Sequence, residues 1–409
     1  MTAPALALPA SIAALFDDAL RDRLLELRRA LHAHPELSHE EHDTSRRLIE
    51  ALVALGVRDV KRCGATGVVA RIPGRNPGGG AIAIRGDIDA LPITEATGLP
   101  FASQTPGVMH ACGHDVHATW AVGAAALLQR DPAERDVVVI LQPAEERGDG
   151  ALAMIEQGAL DGVGMIFGGH VDRRFEVGRV VADAGPLPAS ADTFEIELTG
   201  RGAHAARPHE AADPIVGAAA LVSALQTIVA RRLNPATAGV VTVGTLHAGT
   251  APNVIPDRAT LGGTIRAIDA PSRTLMVDDV RRIAEGVAAT HRLDARVTFE
   301  RGTPAIVNPE GPIAIARDAV TSLLGESALV PLGTLNMAAE DFAYYLERIP
   351  GCFLRIGARE PGGEFVAAHS PKFVAAEEAI FVGAAVLASV VRRVPRETEL
   401  RGVRRPGGR

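Results

Sequence analysis

The feature that most constrains this chain is a rhythm that changes twice along its length. In the first half, short Val/Ile-rich runs at Gly67–Ile72, Ala81–Arg85, Asp136–Leu141 and Val163–Phe167 alternate with helical stretches. Leu20, Leu24, Leu27 and Leu31 recur at helical spacing. Ser38-His39-Glu40-Glu41 reads as a capping box opening a second helix through about Leu55, and His114–Gln129 reads as a third. Buried runs alternating with helices predict a mostly parallel sheet covered by helices on both faces. Near Leu187 the texture becomes one of half-buried strands. Thr193–Thr199, Gly239–Leu246, Asp257–Ile268 and Ala295–Glu300 read as strands, with helices over Pro214–Arg232 and Ser272–Thr290. That β-α-β-β-α-β order is ferredoxin-like. After Gly302 the first texture returns and ends in a helix through Val391. The expected fold class is α/β, with a larger discontinuous domain over 1–187 and 302–409 and an inserted α+β domain over 188–301.

Composition narrows the functional classes. A length of 409 residues allows two or three domains with a sizeable core. Aromatic residues make up 3%, so Ala, Val, Leu and Ile must build that core. A net charge of −7 gives no bulk attraction for phosphate backbones, which argues against a nucleic-acid partner. Three cysteines are too few for a disulfide framework. The longest apolar run, Ala379 to Val391, is too short for a bilayer, so no membrane association is expected. Met1 to Leu15 is apolar but no Lys or Arg precedes Arg21, so a signal peptide lacks its basic region and a cytoplasmic location is expected. The glycine cluster Gly74–Gly80 has no Gly-Lys-Ser/Thr after it and reads as a turn between strands. The Arg-rich tail from Arg392 reads as frayed.

Chemistry concentrates in Met109 to His117, which packs three His, one Cys and one Asp into nine residues. Polar caps on a helix N-terminus are the bland explanation. Cys112-x-His114 is too tight for a zinc finger, and an open catalytic site with ligands from distant loops fits better. Glu145-Glu146 ends one predicted strand, His170 ends the next, and His369 lies in the returning half. Singly, each reads as an ordinary solvated or satisfied residue. Together they fall at the carboxyl ends of strands, where open parallel sheets bind ligands.

In order along about 340 residues, several motifs resemble those of the M20 metallopeptidase and aminoacylase family. The similarity is to its amidohydrolase branch of hippurate, N-acyl-amino-acid and auxin-conjugate hydrolases. The residues that carry it are Leu31 to Leu37, Arg85 to Pro92, Met109 to His117, Gln142 to Glu146, Gly202 to His209, Asn253 to Pro256, Ala339 to Phe342, and His369-Ser370-Pro371. The resemblance implies two divalent metal ions per subunit, manganese or zinc with cobalt or nickel as alternatives. Cys112, His114, Glu146, His170 and His369 would hold them, with Cys112 bridging. Glu145 would be the general base toward the water between the metals. Asp87 stands where other M20 members place a His ligand and is assigned no metal. Asp89 would orient a ligand His, against the plainer reading of a strand-end cap.

In the inserted domain the resemblance implies that His204 reaches the partner subunit's site and stabilises the oxyanion. Asn253 and Arg266 would hold the carboxylate of an N-acyl-amino acid. A homodimer, or a higher oligomer built from dimers, follows. The implied reaction cleaves the amide of an N-acyl-L-amino acid to a carboxylic acid and a free amino acid. A dipeptidase, aminopeptidase or N-acyl-diaminopimelate deacylase on the same scaffold is the alternative. A non-catalytic binding protein should have lost the base or a ligand. A thiol sensor at Cys112 lacks a neighbouring resolving cysteine, since Cys63 and Cys352 are distant. His32, His34, His39 and His42 read as structural residues of a helix–loop–helix corner.

Overall fold

The computed structural model describes residues 8–76, 79–300, 302–335 and 337–395. Within these, the chain divides into two compact units. Among the described residues, one comprises 8–185, 308–334 and 344–395, the other 186–307 with 335–343. The short Leu335–Ala343 segment groups with the second unit, whereas the texture reading leaves it in the first.

The first unit is built on a seven-stranded sheet. Its order is Asp59–Cys63, Gly67–Ile72, Val137–Gln142, Ala81–Asp87, Val163–Glu176, Gly351–Arg359, Val180–Val181. The four strands from Val137–Gln142 to Gly351–Arg359 run parallel, and the outer strands join antiparallel. The parallel strands read as unbroken apolar runs because both faces are covered; every residue of Val137–Gln142 and Ala81–Asp87 is buried. The edge strand Asp59–Cys63 escaped the sequence reading because only Cys63 on it is buried.

The helix His114–Arg130 is buried from His114 to Leu128, and Glu378–Arg393 is buried from Ala379 to Val391. Small residues let these two approach. A Cβ added at Gly383 would lie 2.3 Å from Trp120 Cε3, so only glycine admits the indole there. The core is aliphatic, as the composition requires, with Trp120 fully enclosed.

Two local expectations are corrected. The second helix spans His42–Ala54 rather than starting at Ser38. His39 takes a φ of 69°, outside the helical region, and the Ser38 hydroxyl donates to Asp89 Oδ2 at 2.7 Å. The helix is capped instead by Glu36, whose carboxylate accepts the N–H groups of Asp43 (3.1 Å) and Thr44 (2.8 Å). Nor does the chain fray at Arg392. Arg392 donates to the carbonyls of Leu127 and Asp131, and Arg393 pairs with Asp318 at 2.7 Å. The tail beyond residue 395, and Pro77 and Gly78 of the glycine cluster, lie outside the described residues.

The second unit has a four-stranded antiparallel sheet ordered Gly239–Ala248, Arg258–Ala267, Asp192–Thr199, Asp294–Phe299. With helices Pro214–Leu225 and Ala270–Thr290, it has the ferredoxin-like order. Period-2 burial along Asp192–Thr199 turns Phe194, Ile196 and Leu198 inward against Leu221, Leu225 and Val280. The predicted single helix over Pro214–Arg232 changes to a π-helical turn at Ile228–Arg232. Just before it, the Thr227 hydroxyl bonds back to the Ala224 carbonyl at 2.6 Å. That stretch has a mean hydropathy of 1.5 and by length and composition alone is apolar enough to cross a bilayer. Here it packs Ala218, Leu221, Leu225 and Ile228 into the core of its own unit.

Candidate metal centre

The centre assembles at the carboxyl ends of the parallel strands of the first unit. Cys112 and His114 flank Gly113, which opens the helix His114–Arg130 with a φ of 95°. A side chain at Gly113 would be strained by that φ and would meet Val171 Cγ2 at 2.5 Å. Glu145 and Glu146 follow the end of Val137–Gln142, and His170 lies on Val163–Glu176. His369, at φ 66°, is tied by its N–H to the Ala111 carbonyl at 2.8 Å.

Two donor groups share one atom. Donor atoms of Cys112, His114 and His170 lie within 4.8 Å of one another, as do those of Cys112, Glu146 and His369. The Cys112 Sγ to His170 Nε2 distance is 3.2 Å, and His369 Nε2 lies 3.3 Å from Glu146 Oε1. His114 Nε2 stands 3.8 Å from Glu146 Oε1 and 3.9 Å from Glu145 Oε2. Ligand atoms bound at about 2.1 Å in a tetrahedron sit about 3.4 Å apart, which is the spacing found here.

Second contacts fix which nitrogen each imidazole presents. His114 Nδ1 is held by the Asp89 carbonyl (2.9 Å) and by Asp89 Oδ1 (3.1 Å). His170 Nδ1 donates to the Val171 carbonyl at 2.7 Å. Both rings therefore offer Nε2 as a lone pair. His114 Nε2 and Glu146 Oε1 are buried with no hydrogen-bond partner. Orphaned buried acceptors among a thiol, imidazoles and carboxylates fit divalent cations. Burial and the charge of Glu146 push the Cys112 thiol up to about 12. For His114, burial is outweighed by the Asp87 charge and the Asp89 hydrogen bond, which hold it well above the usual imidazole range.

A third group, Asp87 with His114 and His117, is of a different kind. Asp87 Oδ1 accepts His117 Nδ1–H at 2.6 Å, and His117 Nε2 accepts the Val171 N–H at 2.9 Å. Both His117 nitrogens are occupied, and Asp87 also receives Arg85. These residues brace the helix against the strand that carries His170. Asp89 does more than face a histidine: its Oδ2 also accepts the Ser38 hydroxyl and the Glu146 N–H at 3.0 Å. The sequence reading passed over His117, and also the buried set around Asp115. Arg28 and His32 approach Asp115 Oδ2 at 2.9 and 2.8 Å, and Glu95 meets His32 Nε2 at 3.2 Å. His32 is thus buried beside the ligand helix. The His-Asp-x-His spacing of His114, Asp115 and His117 was the available signal.

In the second unit, the short strand Ala203–His204 pairs with Val254–Ile255, placing His204 opposite Val254. The Asn253 carbonyl accepts the Ala205 N–H at 3.1 Å, so His204 and Asn253 are neighbours. His204 borders a cavity of about 850 Å³ that is also lined by Thr250, Val254 and Arg258. Arg266 is not part of this group. It faces Val240 eight residues beyond Arg258 on the same strand, about 27 Å away at about 3.4 Å per residue.

Residues 83–393 match the sequence profile of peptidase family M20/M25/M40. The chain belongs to peptidase family M20. This M20 chain is 41% identical over 377 residues to an N-acetyl-L-cysteine deacetylase of Bacillus subtilis, covering 92% of this chain and 89% of that protein. It is 37% identical over 387 residues to an IAA-amino acid hydrolase of Arabidopsis thaliana, covering 93% and 87%. The crystal structure of a dinuclear metal-binding M20 peptidase of Bacillus subtilis superposes with a TM-score of 0.81 at 36% identity, over 92% of this chain and 98% of that one. As a member of M20, the chain is a metal-dependent amide hydrolase.

Proposed function

We propose that this M20 hydrolase cleaves N-acyl-L-amino acids with two divalent cations, held by Cys112, His114, Glu146, His170 and His369. The observation that carries the reading is the place of Cys112 in two donor groups, with His114 and His170 on one side and Glu146 and His369 on the other. A single thiolate between two cations calls for such an arrangement. Bound there, the cations would polarise the acyl carbonyl and acidify the attacking water. Manganese or zinc suits this mixed sulfur, nitrogen and oxygen set, with cobalt or nickel next.

The protein's own residues supply the rest. Glu145 takes the proton of the attacking water and returns it to the departing amine nitrogen. Asp89 keeps His114 in the tautomer that offers Nε2. His204 donates to the oxyanion, while Asn253 and Arg266 bind the substrate carboxylate, Arg266 through paired N–H groups. Since Arg266 lies near the far end of the strand that begins at Arg258, a residue lining the same cavity as His204, we assign Arg266 to one protomer and His204 with Asn253 to its partner. The exposed Val240 and Leu246 on the edge strand Gly239–Ala248, with Ile215 and Val216 on the helix Pro214–Leu225, support a homodimer through this unit. Cys63, Cys112 and Cys352 are all free and buried, which supports a reducing, cytoplasmic setting.

The relatives named for N-acetyl-L-cysteine and IAA-amino acids support the acyl-amino-acid class. The test is a hydrolysis screen with added Mn²⁺ or Zn²⁺ over N-acetyl-, N-benzoyl- and N-indoleacetyl-amino acids, with an unblocked dipeptide alongside. Faster turnover of the acylated series is expected. A clear preference for the dipeptide would overturn the substrate assignment and favour a peptidase.

A further inference from the structure

The segment Leu31 to Glu41 carries a motif to which the chemistry above gives no task, yet its last residue touches the turn that presents Glu145. Glu41 is fully buried, and its Oε1 accepts the N–H of Ala144 at 2.9 Å. Its Oε2 accepts the hydroxyl of Thr66, itself buried, at 2.6 Å. Ala144 is a non-glycine residue in the left-handed region, at φ 52°, immediately before Glu145. Its carbonyl accepts the Gly150 N–H at 3.2 Å, so its N–H and its C=O are both held from outside the turn. An alanine does not adopt that conformation readily, and structure around it must impose it.

The geometry points to Glu41 as a positioning residue for catalysis: its carboxylate holds the Ala144 N–H so that Glu145 and the adjacent Glu146 take different directions. Two consecutive carboxylates must serve separate tasks, one moving protons and one holding a cation. The backbone between Pro143 and Glu145 decides whether they do. Glu41 is anchored for this work by the Ser45 hydroxyl, which donates to its carbonyl at 2.7 Å, and by Thr66 at the start of the strand Gly67–Ile72. The inference rests on the assignment of Glu145 as the base.

The test compares metal-loaded wild type with E41A, E41Q, T66V and the double variant E41A/A144G. The readouts are kcat, KM, metal content and deuterium uptake of the peptide 141–150 in the absence of substrate. E41A is expected to lower kcat by about 10–100-fold, the scale of an ångström-sized misplacement, with KM and metal content kept. Uptake should rise in 141–150 above any change elsewhere. E41Q should retain most activity, since its amide carbonyl still accepts from Ala144 while its NH₂ group donates to the Thr66 oxygen. A144G should restore part of kcat in the E41A background, because glycine takes positive φ without help. T66V should show a smaller loss in the same direction. Unchanged uptake in 141–150, a uniform rise over the whole chain, or metal lost in step with activity would each overturn the inference. If E41A does not fold, T66V decides, and unchanged kcat and uptake there count against it. A wrong base shows separately, as E145Q retaining turnover while E41A still loosens the turn.

Discussion

Glu145 and Glu146 are neighbours in sequence with different surroundings. Glu146 has an orphaned buried oxygen beside His369, whereas Glu145 turns its Oε2 toward His114. E145Q is therefore expected to keep both cations by elemental analysis and to lose about 10²–10⁴-fold in kcat. A second prediction concerns acid. Burial would raise the Glu95 carboxyl, but hydrogen bonds from His32, the Thr97 hydroxyl and the Ser103 N–H outweigh it and hold it at about 2. A carboxyl depressed on folding adds stability above its ordinary value of 4.5 and loses it as pH falls toward about 2. The urea midpoint of E95Q should thus lie below that of wild type at pH 7, and the gap should close between pH 4.5 and 2.5. A constant gap over that range would exclude this role. At this scale the sequence spoke through residue type: Cys112 and His114 at a helix start and His170, which lies within a strand that runs on to Glu176, are scarce chemical groups. Glu41 was hidden because a carboxylate three residues after a serine looks like part of a capping box. Only the left-handed His39 reveals that Ser38 and Glu41 serve other partners.

Among the elements, the helix His114–Arg130 does most to set the site, because it carries His114 at its first turn and lies buried against the sheet beside Glu378–Arg393. G383A should push the indole of Trp120 out of place and cost about 1–3 kcal/mol in denaturant unfolding. A destabilised helix should also weaken metal retention, since His117 and Asp115 couple it to the strand Ala81–Asp87 and to the helix Asp18–Ala33. Element type was readable wherever periodicity was strong, as in Gly67–Ile72 and Asp192–Thr199. It failed at the edge strand Asp59–Cys63, which alternates too weakly to signal burial, and at Ile228–Arg232, where apolar period continues through a change of helix type.

For the whole molecule, the inserted unit raises a question that motif order alone did not pose. His204 and Asn253 were legible as motif residues and Arg266 only through the family resemblance, but register was not, and register puts Arg266 near the far end of a ten-residue strand. Mixing E145Q with H204A subunits should restore activity in the heterodimers, because one composite site regains both groups. Verified heterodimers without recovered turnover would exclude sharing across the interface. V240K, placing a charge on the exposed edge strand, should shift the protein toward monomer in analytical ultracentrifugation and lower activity with it.

The length of the Arg258–Ala267 strand then bears on how the enzyme behaves on dilution. If each working site draws its substrate anchors from two chains, specific activity is a function of protein concentration rather than a constant. Below the association midpoint, rate should rise with the square of enzyme added and return to first order above it. A crossover of that kind, moved to higher concentration by V240K, would make the catalytic assay itself a measure of assembly.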